Sequence, residues 1–335
     1  MSTASTSTPR VLVYGSVNCD EFFVVDHVNS RAQLRQRECS IVRPGETISS
    51  SSYSRRAGGK GANQAVSASK AGASVDFAGA IGADGGWLAK ELEGYGVGTK
   101  QLLVDDKVAT GRAIIQLSAK DADNSIVLFP GSNFSGNQGR TFDWGSYSHL
   151  LVQNEIPWAE TVAALAQART AGLATFFNPS PMPTQDQLRA FDWTHLDYLL
   201  INEGEGQDLL VAYGAEPAPG QPEETLLRLR TVLASSTTIV MTLGANGVMA
   251  GLENGDVISA PAGRVQGKVV DTTGAGDCFT GYLATLLVTP ATTGEELRPL
   301  LATACQAAAM CVEKAGAMES VPLRAAVLER MQATP

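Results

Sequence analysis

The 335-residue chain is predicted to fold as an α/β protein: a doubly wound, mostly parallel sheet flanked by helices, with a small β-sheet lid. Three features predict this. After Ser148 short apolar runs alternate with helical ones, and strands that alternate with helices form parallel sheets. Two groups of more exposed, alternating strands, within about 21–56 and 108–130, stand apart from that rhythm. Polar residues recur at the ends of successive apolar runs, where open α/β sheets gather their ligands. With 44% hydrophobic residues, one domain spanning 1–335 can bury a large core.

The first ten residues, M-S-T-A-S-T-S-T-P-R, read as a loose tail. Arg10–Ser16 is an apolar run ending at a glycine, as a buried parallel strand requires. E-F-F-V-V, the turn P-G-E and the serine-rich I-S-S-S-S-Y-S then read as exposed antiparallel strands. Between them Asn29–Ser40 carries Arg31, Arg35 and Arg37; phosphate contact and a solvated insertion are both open, the second being the usual fate of a short charge run. Gly61–Ala71 is a helix of small residues, V-D-F-A-G-A-I-G a strand, and W-L-A-K-E-L-E a second helix. T-G-R-A-I-I-Q-L-S and N-S-I-V-L-F, joined by K-D-A-D, complete the lid sheet with the earlier exposed pair. Past Ser148 come strands H-L-L-V-Q-N-E, A-T-F-F-N-P-S, Y-L-L-I-N-E-G and T-I-V-M-T-L-G, with helices at A-E-T-V-A-A-L-A-Q-A-R-T-A and Glu223–Ser235. A hairpin (V-M-A-G-L, G-D-V-I-S-A-P), a helix from Asp277 and a last helix over Glu295–Glu313 finish the chain.

A net charge of −9 argues against a partner that is nucleic acid or an acidic membrane, either of which wants a basic face. No run of 18 apolar residues and no N-terminal apolar segment are present, so neither membrane spanning nor secretion is expected. Five cysteines without a C-x-x-C pair, and three scattered histidines, suggest neither a zinc site nor a disulfide framework. The expected address is the cytoplasm, with the nucleus as a second one.

The chemistry concentrates in Val269–Phe279, V-V-D-T-T-G-A-G-D-C-F. A glycine turn at a helix start leaves backbone N–H groups unpaired beside the positive end of the helix dipole, which suits an anion. Asp277 on that turn would repel a phosphate unless it has a proton to accept, and an anion cradle beside a base is what phosphoryl transfer to an alcohol needs. The same carboxylate also suits a helix cap, and local sequence leaves both readings open. A-G-G-K-G-A-N-Q at Ala57–Gln64 permits close backbone approach to a ligand; it lacks the spacing of a P-loop, and no G-x-G-x-x-G follows the first strand. Strand ends add Asn18, Asp20, Asn154, Glu155, Asn178, Asn202, Glu205, Thr242 and Gly244.

G-G-K-G-A-N-Q and D-T-T-G-A-G-D, in this order, resemble the two signatures of the ribokinase-like (phosphofructokinase B type) carbohydrate kinases, and the resemblance runs from Arg10 to about Pro322. V-N-C-D at Val17–Asp20, R-P-G-E-T at Arg43–Thr47 and N-P-S-P at Asn178–Pro181 point within that family to kinases of D-ribose. The resemblance implies ATP-dependent transfer to the 5-hydroxyl of D-ribose, with Mg²⁺ and K⁺ as cofactors and a homodimer formed through the lid sheets. It implies Asp277 as the base and the N–H groups of Thr273, Gly274, Ala275 and Gly276 as the anion cradle. Asn18, Asp20, Gly59, Lys60, Gly61, Ala62, Asn63 and Glu155 would hold the sugar. Asn202 and Glu205 would serve the phosphates and hydrated Mg²⁺, while Thr242, Leu243, Gly244, Ala245, Asn246, Gly247, Gly276 and Cys305 would hold the nucleotide. The K⁺ positions it implies are Asp271, Thr273, Cys311, Lys314, Gly316 and Ser320. Two other functions are open: a sibling kinase for another sugar or a nucleoside, and a sensor that keeps the fold without catalysis.

Overall fold

A computed structural model describes residues 8–25, 42, 45, 47–119 and 124–333. The N-terminal tail up to residue 7, the basic stretch 29–40, the K-D-A-D turn at 120–123 and, within R-P-G-E-T, residues 43, 44 and 46 lie outside the described residues.

Strand β1 (Arg10–Tyr14) has four of its five residues buried. β2 (Asn18–Val25) and β3 (Ser50–Gly58) follow it, and then α1 (Lys60–Lys70), β4 (Ser74–Gly82), α2 (Gly86–Gly94) and β5 (Val97–Asp105). Next come β6 (Gly111–Ser118), β7 (Asn124–Phe129) and the single turn α3 (Ser132–Ser135). The regular part of the chain runs β8 (His149–Gln153), α4 (Trp158–Thr170), β9 (Ala174–Asn178), α5 (Gln185–Ala190), β10 (Tyr198–Asn202), α6 (Glu203–Ala212), α7 (Pro222–Val232) and β11 (Thr238–Thr242). The chain closes with β12 (Val248–Gly251), β13 (Val257–Ala260), α8 (Ala275–Leu286), α9 (Gly294–Cys311) and α10 (Arg324–Gln332).

Among the described residues these strands form a sheet of order β13-β12-β11-β10-β9-β8-β1-β4-β5 and a second of order β3-β2-β6-β7. The large sheet is parallel from β11 through β5 and antiparallel at its β11-β12-β13 edge. Successive β1 side chains enter opposite cores: Val11 and Val13 pack with α1, α8 and α9, while Leu12 and Tyr14 pack with α4, α6 and α7. This is the doubly wound, helix-flanked α/β architecture expected from the alternation after Ser148. Among the described residues no helix is long and apolar enough to cross a membrane.

Several elements differ from the expectation. In the small sheet the expected antiparallel pairing of β2 with β3 is present, while β2 and β6, whose relative direction the sequence left open, run parallel across the long connection through β3, α1, β4, α2 and β5. β5 was not anticipated, since V-G-T-K-Q-L-L-V-D is an edge strand with only Val97 fully buried and so lacks an apolar run. Helices α5, α6 and α10 were also missed. α6 hides in E-G-E-G, whose glycines read as loop, and starts directly at β10 with Asn202 as N-cap and Glu205 completing a capping box.

Small residues let α1 and α8 pack unusually close. An added Cβ at Gly281 would fall 2.5 Å from the Gln64 carbonyl oxygen and 2.5 Å from Ser67 Cβ, and Ser67 Oγ donates to the Cys278 carbonyl at 2.7 Å. Gly281→Ala is therefore expected to destabilise the protein by about 1–3 kcal/mol through overpacking. A thermal melt in which this variant unfolds at the parent temperature would contradict the close contact.

Candidate active site

Helix α8 begins on Gly274, whose left-handed backbone (φ 76°) supplies the turn; a Cβ there would meet Ala317 Cβ at 2.7 Å. No side chain caps this helix start. Ala275 N–H donates to the Thr272 carbonyl at 3.3 Å, and the remaining first-turn N–H groups, which have no intrahelical acceptors, stay available beside the positive end of the dipole. Asp277 is not the cap. It is the third helical residue, 8% exposed, with Oδ2 accepting from Asn63 Nδ2 at 3.0 Å and Oδ1 from Gln64 Nε2 at 2.8 Å. A buried carboxylate needs such partners, because an unpaired one costs several kcal/mol.

The amides are themselves oriented. Gln64 Oε1 accepts from Gln153 Nε2 at 2.6 Å, Gln64 Nε2 also reaches Asn178 Oδ1 at 3.2 Å, and Asn178 Nδ2 donates to the Leu200 carbonyl at 2.9 Å. Gln64 and Gln153 are fully buried polar residues that the sequence reading did not place in the site. Gln64 ends the glycine-rich motif and Gln153 ends an apolar strand, so a polar residue closing an apolar run was the available signal.

Gly59 takes φ 90°, and a Cβ on it would lie 2.9 Å from both the Ser16 carbonyl oxygen and Val17 Cα. That contact sets α1 against the end of β1. Around it gather Asn18, whose Oδ1 accepts from Asn133 Nδ2 at 2.8 Å, and Glu155, whose Oε2 accepts from Ser16 Oγ and from Lys60 N at 3.0 Å. Asp20 extends over Gly58, where any Cβ would collide with its carboxyl. Its buried Oδ1 has no hydrogen-bond partner among the described residues. Burial, with Glu155, Glu319 and Asp277 adding their charge, pushes Asp20 up to about 7. Burial depresses the Lys60 ammonium, but the carboxylates of Asp277, Glu155 and Glu205 outweigh it and hold the group above its ordinary value.

Two cavities meet at the glycine turn. A polar one of ≈ 140 Å³ is lined by Lys60, Asn178, Asn202, Glu205, Gly274, Gly276, Asp277 and Thr280. An apolar one of ≈ 310 Å³ is lined by Gly244, Ala245 and Gly247, by Val265 and Val269, and by Phe279, Cys305, Ala309 and Val312; Thr242 and Gly276 line both cavities. Leu243 instead packs against the core on the α6 face, and Asn246 is exposed; neither lines a cavity. Ala62 is fully buried in the core, with its N–H donating to the Ser16 carbonyl at 2.9 Å. Asn154 turns away to donate to the Pro181 carbonyl at 2.8 Å.

Beneath the turn, Asp271 Oδ1 accepts from Thr273 N and Oδ2 from Gly316 N, both at 2.9 Å. Burial would raise this carboxyl, but the hydrogen bonds from Gly316 and Thr273, and then Arg56, outweigh it and hold it low. Cys311 Sγ lies 2.9 Å from Ser320 Oγ, which donates to the Ala317 carbonyl, and Lys314 N donates to the Cys311 carbonyl. Among the described residues no group of three or more His, Cys, Asp or Glu side chains could hold a metal ion. A cation here would have to rely on backbone and hydroxyl oxygens. The Lys314 side chain is exposed.

Residues 20–324 match the model of the pfkB family carbohydrate kinases. The chain is 31% identical to the ribokinase of Haemophilus influenzae over 332 residues, covering 96% of this chain and 97% of that protein. The crystal structure of ribokinase from Cryptococcus neoformans in complex with ADP superposes with a TM-score of 0.84 at 44% identity, covering 96% of this chain and 99% of that one. Arabidopsis thaliana ribokinase complexed with ribose and ATP gives 0.81 at 27% identity, with 98% and 100% covered. With its two signature turns meeting at Asp277 and the match spanning nearly its whole length, this chain belongs to the pfkB family of carbohydrate kinases.

Proposed function

We propose that this protein is an ATP-dependent sugar kinase that phosphorylates the 5-hydroxyl of D-ribose, giving ribose 5-phosphate and ADP. The observation that carries the reading is how the parts share neighbours. The apolar and polar cavities meet at Gly276, Asp277 lines the polar one, and its carboxylate adds its charge to the buried Asp20 and, with Glu155, to Lys60. Two relatives, one complexed with ribose and ATP and one with ADP, support the same pair of substrates.

The adenine suits the apolar cavity, with Cys305 on its wall. Carboxylates and amides at Asn18, Asp20, Asn63 and Glu155 offer the acceptors and donors that vicinal hydroxyls require. Asp277 accepts the proton of the 5-hydroxyl as its oxygen attacks the γ-phosphorus; the bond to the β,γ-bridging oxygen breaks and ADP departs. Of the Thr273–Gly276 turn, the N–H groups of Gly274 and Gly276 stabilise the charge on the transferring group, since Thr273 N–H is held by Asp271 and Ala275 N–H by the Thr272 carbonyl; Lys60, among three carboxylates, adds a fixed positive charge. Asn202 and Glu205 line the polar cavity beside this path and would hold a hydrated Mg²⁺, whose charge offsets that of the phosphates. The loop around Asp271, Gly316 and Ser320 would hold K⁺ through backbone and hydroxyl oxygens, and the bound ion would order the anion turn.

The small sheet, bearing Asn18 and Asp20 on β2, would act as a lid that excludes water and so prevents ATP hydrolysis. On one face of β6-β7 it exposes Ile114, Val127 and Phe129, an apolar surface that fits a second copy of the chain. The four described cysteines are free, as in a reducing compartment such as the cytoplasm.

A coupled assay of ADP release across D-ribose, deoxyribose, fructose and adenosine should give its highest turnover with D-ribose, and Asp277→Asn should lower kcat on the order of 10²-fold or more. Near-normal turnover in that variant sinks the base, and preference for another acceptor sinks the substrate. The Asp20 carboxyl is neutral below about 7 and ionised above it. Because the ionised form is the stronger acceptor, KM for ribose is expected to fall by up to about tenfold as pH rises from 6 to 8. A flat profile would remove Asp20 from the sugar contacts. Replacing K⁺ by a large inert cation should lower the rate severalfold without unfolding the protein; equal rates in the two salts would dismiss the cation.

A further inference from the structure

The small sheet carries a cation for which the reaction above has no use. Arg56 stands directly across from Asp20 in the β2–β3 register, and its guanidinium lies 5.5 Å from the centroid of the Phe22 ring. Side chains at 20 and 22 share one face of the strand, so Arg56 sits on the face that carries the sugar contact. From there it reaches the loop after α9. The point where a Cβ on Gly316 would sit is 3.0 Å from Arg56 Nη1 and 2.6 Å from Glu319 Oε2, so guanidinium and carboxylate fill the space that a side chain at 316 would need.

Gly316 is also the residue whose N–H holds Asp271 Oδ2, while Asp271 Oδ1 holds Thr273 N at the start of the anion turn. A continuous path thus runs from the small sheet through Arg56, the Gly316 loop and Asp271 to the turn that faces the γ-phosphate. The far side of the loop is fixed independently, by Lys70 Nζ donating to the Met318 carbonyl at 2.8 Å and the Val321 carbonyl at 3.0 Å. Lys70 belongs to α1, outside the small sheet, whereas Arg56 belongs to β3 within it.

We propose that Arg56 is a positioning residue that ties the closing small sheet to the Gly316–Ser320 loop, so that sugar bound at Asp20 orders the anion turn through Asp271. This rests on the sugar-kinase reading above. Asp20 and Arg56 lie on paired strands, so capture of the sugar and engagement of the loop are motions of one rigid piece. Couplings of this kind are worth a factor of about 5–150.

Hydrogen exchange of the full chain with and without D-ribose, together with steady-state kinetics, reads the tie directly. In the parent protein ribose should slow exchange both in 57–64 and in 312–322. In Arg56→Ala and Arg56→Gln the slowing at 57–64 should persist and that at 312–322 should vanish. Their kcat should fall on the order of tenfold while KM for ribose moves by less than about threefold, and Arg56→Lys should restore most of both. Glutamine keeps part of the stem over Phe22 and serves as the second variant should alanine fold poorly. Undiminished ribose protection of 312–322 in either variant, or an unchanged kcat, overturns the proposal. Lack of ribose protection at 57–64 in the parent protein overturns the sugar assignment instead.

Discussion

A buried carboxylate whose two oxygens are held by two neighbouring amides is the constraint on which the rest of this molecule depends. Asn63 and Gln64 reach Asp277 across more than two hundred residues of sequence. They do so only because α1 and α8 lie close enough for Gly281 to touch the backbone of Gln64. The small residues along α1 (Ala62, Ala65, Ser67, Ala68) serve that approach: a larger side chain on the contact face would move the amides out of hydrogen-bonding reach. Packing and chemistry are in this sense one requirement, since the helices that bury the charge also supply its partners.

From that pair the site extends in two directions with opposite character. Toward the nucleotide side the walls are apolar and the polar groups are backbone N–H. Toward Asp20 the walls are acidic, and burial, with the charges of Glu155, Glu319 and Asp277, raises that carboxyl's cost of ionisation. Lys60 is the nearby positive charge among three carboxylates. An acidic, partly unsatisfied pocket is poorly suited to an anion and well suited to hydroxyls, which bring donors to orphaned acceptors such as Asp20 Oδ1. In the proposed reaction the phosphate therefore enters from the other side, at the helix start.

Much of the large sheet was legible because a buried parallel strand has few disguises. Runs such as Val11–Tyr14, Leu150–Gln153 and Leu199–Asn202 are apolar on both faces, the first closed by a glycine and the other two by polar residues. The elements that escaped were those whose signal is diluted. β5 is half exposed and interleaved with Lys100 and Gln101, α6 begins with alternating glycines, and the parallel pairing of β2 with β6 leaves no local mark at all. Of the site, the two glycine turns and the strand-end carboxylates were visible as types at characteristic positions. Gln64 and Gln153 were not, because an interior glutamine looks like any other polar residue until its surroundings are known.

By itself the sequence determined that the fold is a doubly wound α/β sheet, that a glycine turn over Gly274–Gly276 leads into a helix, and that a carboxylate stands on that turn. It could not decide whether Asp277 caps its helix or serves as a base. Both roles use the same residue at the same place, and the difference lies in which donors meet its oxygens. Only the tertiary structure decided that Gly274, with its left-handed backbone, is the N-cap and that the carboxylate turns to amides from α1. The reason is physical: local sequence dictates backbone conformation through sterics and propensity, whereas the partners of a buried charge are chosen by packing between segments that sequence distance does not reveal.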